Sequence, residues 1–146
     1  MSTEDNKRLI RDHYKRFSAI QGEAAKVRPA ATTSYAPDAV SHRSDAEGDF
    51  EASVKGWASF IAAFPDMRIT VEDMIAEGDK VVTRYLVQGT HLGTFRGIPP
   101  TGRKVQVKWV TVHRIRESKI VEMWEFPDML GFLTQLGAIP GAGAKG

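Results

Sequence analysis

The thirteen residues from Lys104 to Arg116, KVQVKWVTVHRIR, alternate more regularly than any other stretch of the chain, and they limit what it can fold into. Val105, Val107, Trp109, Thr111, His113 and Ile115 fall on one face. Lys104, Gln106, Lys108, Arg114 and Arg116 fall on the other, with Val110 and Val112 interrupting the polar row. A period of two over that length is a long β-strand with one face against a core and the other largely wet. Such a strand belongs in an antiparallel sheet covered on one side only.

The flanking segments supply the partners and the cover. Met67 to Ala76 and Lys80 to His91 read as strands, with the Gly-Asp pair of Glu77-Gly78-Asp79 marking a hairpin, and Lys119 to Phe126 returns after a turn at Glu117-Ser118. Upstream, Ile10, Tyr14, Phe17 and Ile20 recur at helical spacing behind a Ser2-Thr3 cap, which predicts a helix from about Thr3 to Gln21, ended by Gly22. A shorter helical stretch is interrupted at Pro29 and resumes to about Tyr35. A turn at Ala36-Pro37-Asp38 then leads into a brief strand, Ala39 to His42, and a polar loop, Arg43 to Asp49. Phe50, Val54, Trp57, Phe60, Ile61 and Phe64 mark one face of a third helix. The GIPPTG of the loop Leu92 to Gly102 cannot form a central strand, and it lacks the lysine and the strand-to-helix setting of a phosphate loop. Pro127 is expected to open a closing helix that carries Met129, Leu130, Leu133 and Leu136, with Gly137 as its cap. The pattern is α+β: one domain over residues 1–138 whose helices cover the concave face of a curved antiparallel sheet, forming a cone with a pocket, followed by a flexible tail at 139–146.

Composition removes several functional classes. With no cysteine among 146 residues there is no disulfide frame, thiol nucleophile or thiolate metal site, and His13, His42 and His91 lack ligand spacing, so no metal is expected. A net charge of +2 with interspersed signs gives no footprint for nucleic acid. The polar start MSTEDNKRLI and the absence of a long apolar run predict no signal peptide and no membrane span, and hence a cytoplasmic protein.

Chemistry concentrates in KIVEMWEFPDMLGFL, where Glu125 stands among Val121, Met123, Trp124 and Phe126. A carboxylate set against an apolar core must find a partner or give up its charge. Glu125 is therefore either half of a structural ion pair or a working acid or base. Bringing it onto the buried face with Thr111 requires a bulge or an odd-length connection near Glu117-Ser118. Arg84 is the candidate counter-charge, although both faces of its strand are semi-apolar and the alternation does not orient it. His113 is a proton carrier or a hydrogen-bonded core histidine. Ser41 and Thr111 are hydroxyls that could orient a ligand or bond to backbone. Tyr14, Phe17, Trp57 and Trp109 are core residues or the lining for a flat apolar ligand.

GTHLGTFRGIPPTGRKV, followed by RIRESKIVEMWEFPDMLGFLTQLG, resembles the SnoaL-like polyketide cyclases of the nuclear transport factor two-like superfamily from about Tyr35 onward. The resemblance implies the α+β cone and places Glu125 where those cyclases carry the aspartate that serves as acid and base in an intramolecular aldol closure. Thr111 and Trp109 stand where the family has histidine and glutamine, Ser41 where it has asparagine, and His113 two residues beyond the family histidine. The related limonene epoxide hydrolases match at Arg84 and Glu125 and differ at Leu86, which favours an inward Arg84 reaching Glu125. The expected function is cofactor-independent acid/base chemistry, an aldol closure or an isomerisation, on a small apolar or aromatic carbonyl compound. The catalytic residues would be Glu125, His113 and Arg84. The alternatives are a noncatalytic ligand-binding or dimerisation module of the same fold, and epoxide hydrolase-like activation of water. A homodimer is expected through the outer sheet face, around Val110 and Val112.

Overall fold

The computed structural model describes residues 2–139, so most of the expected tail, from Pro140 on, lies outside the described residues. The chain opens with α1 (Thr3–Ser18), whose start is closed by a capping box in which the Ser2 hydroxyl accepts from the Asp5 backbone N–H and the Asp5 carboxylate accepts from that of Ser2. Asn6, Ile10, His13, Tyr14 and Phe17 form its buried stripe. The helix ends earlier than its apolar period suggests, because Gln21 and Gly22 take positive φ and turn the chain. A 3-10 turn at Ala24–Lys26 runs into α2 (Val27–Ser34), and Pro29 lies within the first turn of α2, where no N–H is needed. The predicted interruption at Pro29 is therefore part of a continuous helix. Next come β1 (Tyr35–His42), β2 (Glu47–Gly48), α3 (Phe50–Ala63), β3 (Arg68–Glu77), β4 (Lys80–Thr90), β5 (Lys104–Arg116), β6 (Lys119–Pro127) and α4 (Met129–Gln135). Pro127 closes β6 rather than opening the helix. Asp128 caps α4 by accepting from the Gly131 N–H at 2.9 Å.

The six strands form one sheet in the order β2-β1-β6-β5-β4-β3. The meander from β3 to β6 is antiparallel as expected, but β1 joins β6 in parallel, and the residues expected as a turn at Ala36-Pro37-Asp38 are an irregular part of that strand. The short β2 was not apparent as a strand in the polar loop 43–49. α1 packs on β3 and β4, α3 on β1 and α4 on β5, and the core lies between these helices and the sheet. Glu117 and Ser118 both adopt positive φ in the two-residue turn between β5 and β6, which suits the twist of a tight hairpin. Beyond that turn Ile115 pairs with Ile120, whereas Arg114 pairs with Glu122, so Val121 is an extra residue and β6 is bulged. Ile120 faces the core before the bulge, and Met123 and Glu125 face it afterwards. The required irregularity is present in β6.

Register overturns one expectation. Arg84 pairs with Val110, which pairs in turn with Phe126, so all three point away from the cone, and Arg84 instead meets Glu72 on the neighbouring strand at 3.0 Å. Thr83, completely buried, occupies the inward position level with Thr111 and Glu125. Arg84 is 56% exposed, and an exposed pair of this kind contributes little. Arg84→Met is accordingly expected to change the unfolding free energy by less than about 0.5 kcal/mol in a denaturant titration, at acidic and alkaline pH alike.

Candidate active site

Three rows of inward side chains cross the sheet. Val81, His113, Met123 and Ser41 lie in one row. Thr83, Thr111 and Glu125 form the next, and Tyr85 and Trp109 lead the third beside Pro127. Facing them, α1 contributes Tyr14 and Phe17, and α3 contributes Trp57, whose indole N–H donates to the Tyr35 hydroxyl at 3.0 Å. Glu125, Trp57 and Trp109 are half-buried, whereas Tyr14, Tyr35, Tyr85, Thr111 and His113 are buried. The carboxylate thus stands where the packed interior gives way to solvent.

Burial is the main influence on Glu125 and raises its pKa above the ordinary 4.5. The positive charge of Arg43 opposes this and Asp45 reinforces it. The negative charge of Glu125 in turn helps to raise the hydroxyl pKa values of Tyr14, Tyr35 and Tyr85, for which burial is again the larger cause. Three phenols therefore share its field. Tyr85 and Thr111 hydrogen-bond through their hydroxyls at 2.8 Å, and the Tyr14 ring lies 4.6 Å from that of Tyr85. Thr83 Oγ1, Trp109 Nε1 and His113 Nδ1 are buried without a hydrogen-bond partner in the protein. Buried polar atoms are nearly always paired, so unpaired atoms on the inward rows of β4 and β5 make this face of the sheet polar as well as apolar.

His113 is level with Met123, one row deeper than Glu125. Burial pushes its pKa down to about 3, which favours the neutral imidazole at physiological pH. His13, 5.6 Å away between ring centroids, is held neutral by the same burial and bonds Ser34 at 2.9 Å. Ser41 and Thr111 face inward, whereas Phe17 packs behind Trp57 at 4.2 Å and is completely buried. Among the described residues no group of three His, Asp or Glu side chains is placed to hold a metal.

The charge that acts most favourably on Glu125 comes from Arg43. Its guanidinium is engaged by Asp45 at 3.3 Å, and Asp45 also meets Arg96 of the 91–103 loop at 3.6 Å. Nothing in the periodicity of the polar segment after His42 distinguishes Arg43 as a site residue. The parallel pairing of β1 with β6, Ser41 opposite Met123 and His42 opposite Trp124, leads the chain on to Arg43 near the Glu125 end of β6.

The geometry agrees with comparisons to known proteins. Over 87 residues the chain is 37% identical to nogalonic acid methyl ester cyclase of Streptomyces nogalater, a match spanning 59% of this chain and 63% of that protein. The fold superimposes on IdmH, a proposed polyketide cyclase from Streptomyces antibioticus, with TM-score 0.75 and 34% identity, covering 90% of this chain and 98% of that one. It also superimposes on AclR, a proposed hydroxylase from Streptomyces galilaeus, with TM-score 0.80 and 30% identity, over 96% and 89% of the two chains. The profile of the SnoaL-like polyketide cyclases matches residues 12–136, from the middle of α1 to the end of α4. With the cone, the parallel β1 edge and the inward carboxylate of β6 all inside that span, the chain belongs to the SnoaL-like polyketide cyclase family.

Proposed function

We propose that the protein catalyses cofactor-independent acid/base chemistry of the cyclase type on a small, largely apolar carbonyl compound, with Glu125 as the base. The observation that carries this reading is the half-buried Glu125 on the inward face opposite Thr111, raised in pKa, with three phenols in its field. A base works best when its pKa lies near the working pH, and burial moves a carboxylate in that direction. In the proposed sequence Glu125 takes a proton from the carbon next to a carbonyl, leaving an enolate and a neutral carboxyl group. The enolate carbon attacks a second carbonyl of the same molecule, a carbon–carbon bond forms, and Glu125 returns its proton to the new alkoxide. Buried hydroxyl donors such as Thr111 and Tyr85 stabilise the oxyanion, as fixed dipoles do in low dielectric.

The outward Arg84 weakens the epoxide hydrolase reading, since one of its two matched positions is turned away from the cone. It equally removes the direct Arg84–Glu125 pair that would have made the carboxylate a structural ion. The test is exchange chemistry: an aromatic 1,3-diketone incubated with the protein in deuterium oxide should exchange its α-proton faster than in buffer alone. Exchange at the buffer rate across a panel of such ketones would leave the noncatalytic binding module as the better account.

The proposal includes a homodimer. On the outer face Val82, Val112 and Trp124 form one row and Val110 and Phe126 adjoin it, Phe126 being 60% exposed, with Arg84, Arg114, Glu72 and Glu122 around them. Mixed charges around an apolar centre suit an isologous contact with a second copy. Light scattering at high micromolar concentration should give twice the chain mass, and Phe126→Glu should lower it toward one chain. A single-chain mass for the unaltered protein would count against the dimer.

A further inference from the structure

We propose that Arg43 is a positioning residue that keeps Glu125 available as a base, and that Asp45, held between Arg43 and Arg96, limits how much of the arginine's charge reaches it. The proposal rests on the reading of Glu125 as a base and adds a second element to the site, the hairpin between β1 and β2. Alternation fixes the hairpin's orientation. Ser41 is buried and level with Met123, so His42 points outward and Arg43 returns to the inner face, level with Glu125 if the parallel register with β6 continues by one residue.

The hairpin is held at several points. Arg43 and Ala46 exchange backbone hydrogen bonds at 2.9 and 3.4 Å. His42 meets Glu47 through Nδ1 at 2.6 Å and Glu122 through Nε2 at 2.7 Å, and lies stacked on Trp124. Both ring nitrogens can donate to carboxylates only in the imidazolium form, and these two hydrogen bonds raise the His42 pKa. Arg43 therefore extends from an anchored backbone, and Asp45 lies 3.3 Å from it and 3.6 Å from Arg96 of the 91–103 loop.

The other polar groups facing Glu125 are uncharged. Tyr14 from α1, Tyr35 from β1, Tyr85 from β4 and Thr111 from β5 stay neutral, and the deeper His13 and His113 do as well. Arg43 and Asp45 are thus the charged side chains that act on the carboxylate, with opposite signs. A direct two-pronged Arg–Glu pair would hold Glu125 ionised but make it a weak base. Arg43 is instead engaged by Asp45, whose own charge opposes that of the arginine at Glu125.

The experiment is a titration of the Glu125 carboxyl carbon by NMR in protein labelled with 13C-glutamate, the resonance being assigned by its loss in Glu125→Gln. Arg43→Met should move the midpoint up, Asp45→Asn should move it down, and Arg43→Lys should restore most of the unaltered position. The acid limb of the kcat/KM profile for diketone exchange should follow in the same directions. Midpoints unmoved in both charge variants, or moved the same way, overturn the proposal even if Glu125→Gln abolishes exchange. The predicted opposite shifts in a protein without exchange activity uphold the positioning role and reject the base. Should Arg43→Met fail to fold, Asp45→Asn and Arg43→Lys decide alone, because a downward shift in the first with little change in the second is not expected from a merely structural salt bridge.

Discussion

Glu125→Gln is expected to lose roughly a hundred- to ten-thousandfold in kcat/KM for any carbonyl substrate of the protein, the usual range for removal of a positioned general base. The amide keeps the shape and polarity of the side chain but cannot take up a proton. The same substitution should make the protein more stable at neutral pH. A carboxyl group whose pKa is raised on folding ionises more readily in the unfolded chain, so it lowers stability as pH rises above its unfolded value near 4.5, and the loss is complete above the folded value. Glutamine has no such penalty. Denaturant titrations should therefore show the variant above the unaltered protein at about pH 8, with the two converging at about pH 4. Full activity in a well-folded variant would remove Glu125 from the chemistry, and a variant less stable at every pH would mean that the carboxylate has a structural partner after all.

Phe132→Ala should cost about 3–5 kcal/mol, the scale for truncating a fully buried aromatic side chain. Phe132 packs against Phe60, Phe64 and Phe95 with ring centroids 5.3 to 6.0 Å away. It is the buried residue of α4, a helix of seven residues that is too short to persist without tertiary contacts. Its ends are well made: Asp128 caps the start, and after Gly137 turns with positive φ the Ala138 N–H donates to the Leu133 carbonyl. Beside it the Gln135 side-chain amide pairs with the Gln106 backbone of β5 in both directions, at 2.7 and 2.9 Å, much as a neighbouring strand would. Undocking α4 would expose those backbone groups as well as the aromatic cluster. Urea titration with intrinsic fluorescence checks the size of the loss. A cost below about 1 kcal/mol would show that the cluster repacks without Phe132.

The sequence was most readable where one side of an element meets the core and the other meets water. The β5 alternation identified the inward row, and the need to place Glu125 in it implied a bulge that the structure has at Val121. β4 was ambiguous because Val82 and Leu86 on its outer side are half-buried, so Arg84 could not be oriented from composition. A resemblance to epoxide hydrolases then favoured the wrong face. Arg43 was missed for a different reason. Its place depends on a parallel pairing between residues just over eighty apart in sequence, Ser41 with Met123 and His42 with Trp124, and a two-residue strand such as β2 has no period to detect. His113 was correctly placed on the buried face, but its neutrality follows from how completely it is enclosed, which only the packed structure reveals.

The extra residue in β6 makes the position of the acid a matter of parity. Side chains in a strand point alternately to its two faces, so the face presented by Glu125 depends on whether the count of residues from the Glu117-Ser118 turn is even or odd, whatever their identities. Substitutions can change the chemistry at position 125 but cannot reassign the position. A one-residue change in length between the turn and Glu125 would bring Trp124 to the interior and carry the carboxylate to the outer face. A two-residue change would restore the facing, so what the segment must preserve to keep an inward acid is an odd or even length rather than any one neighbouring side chain.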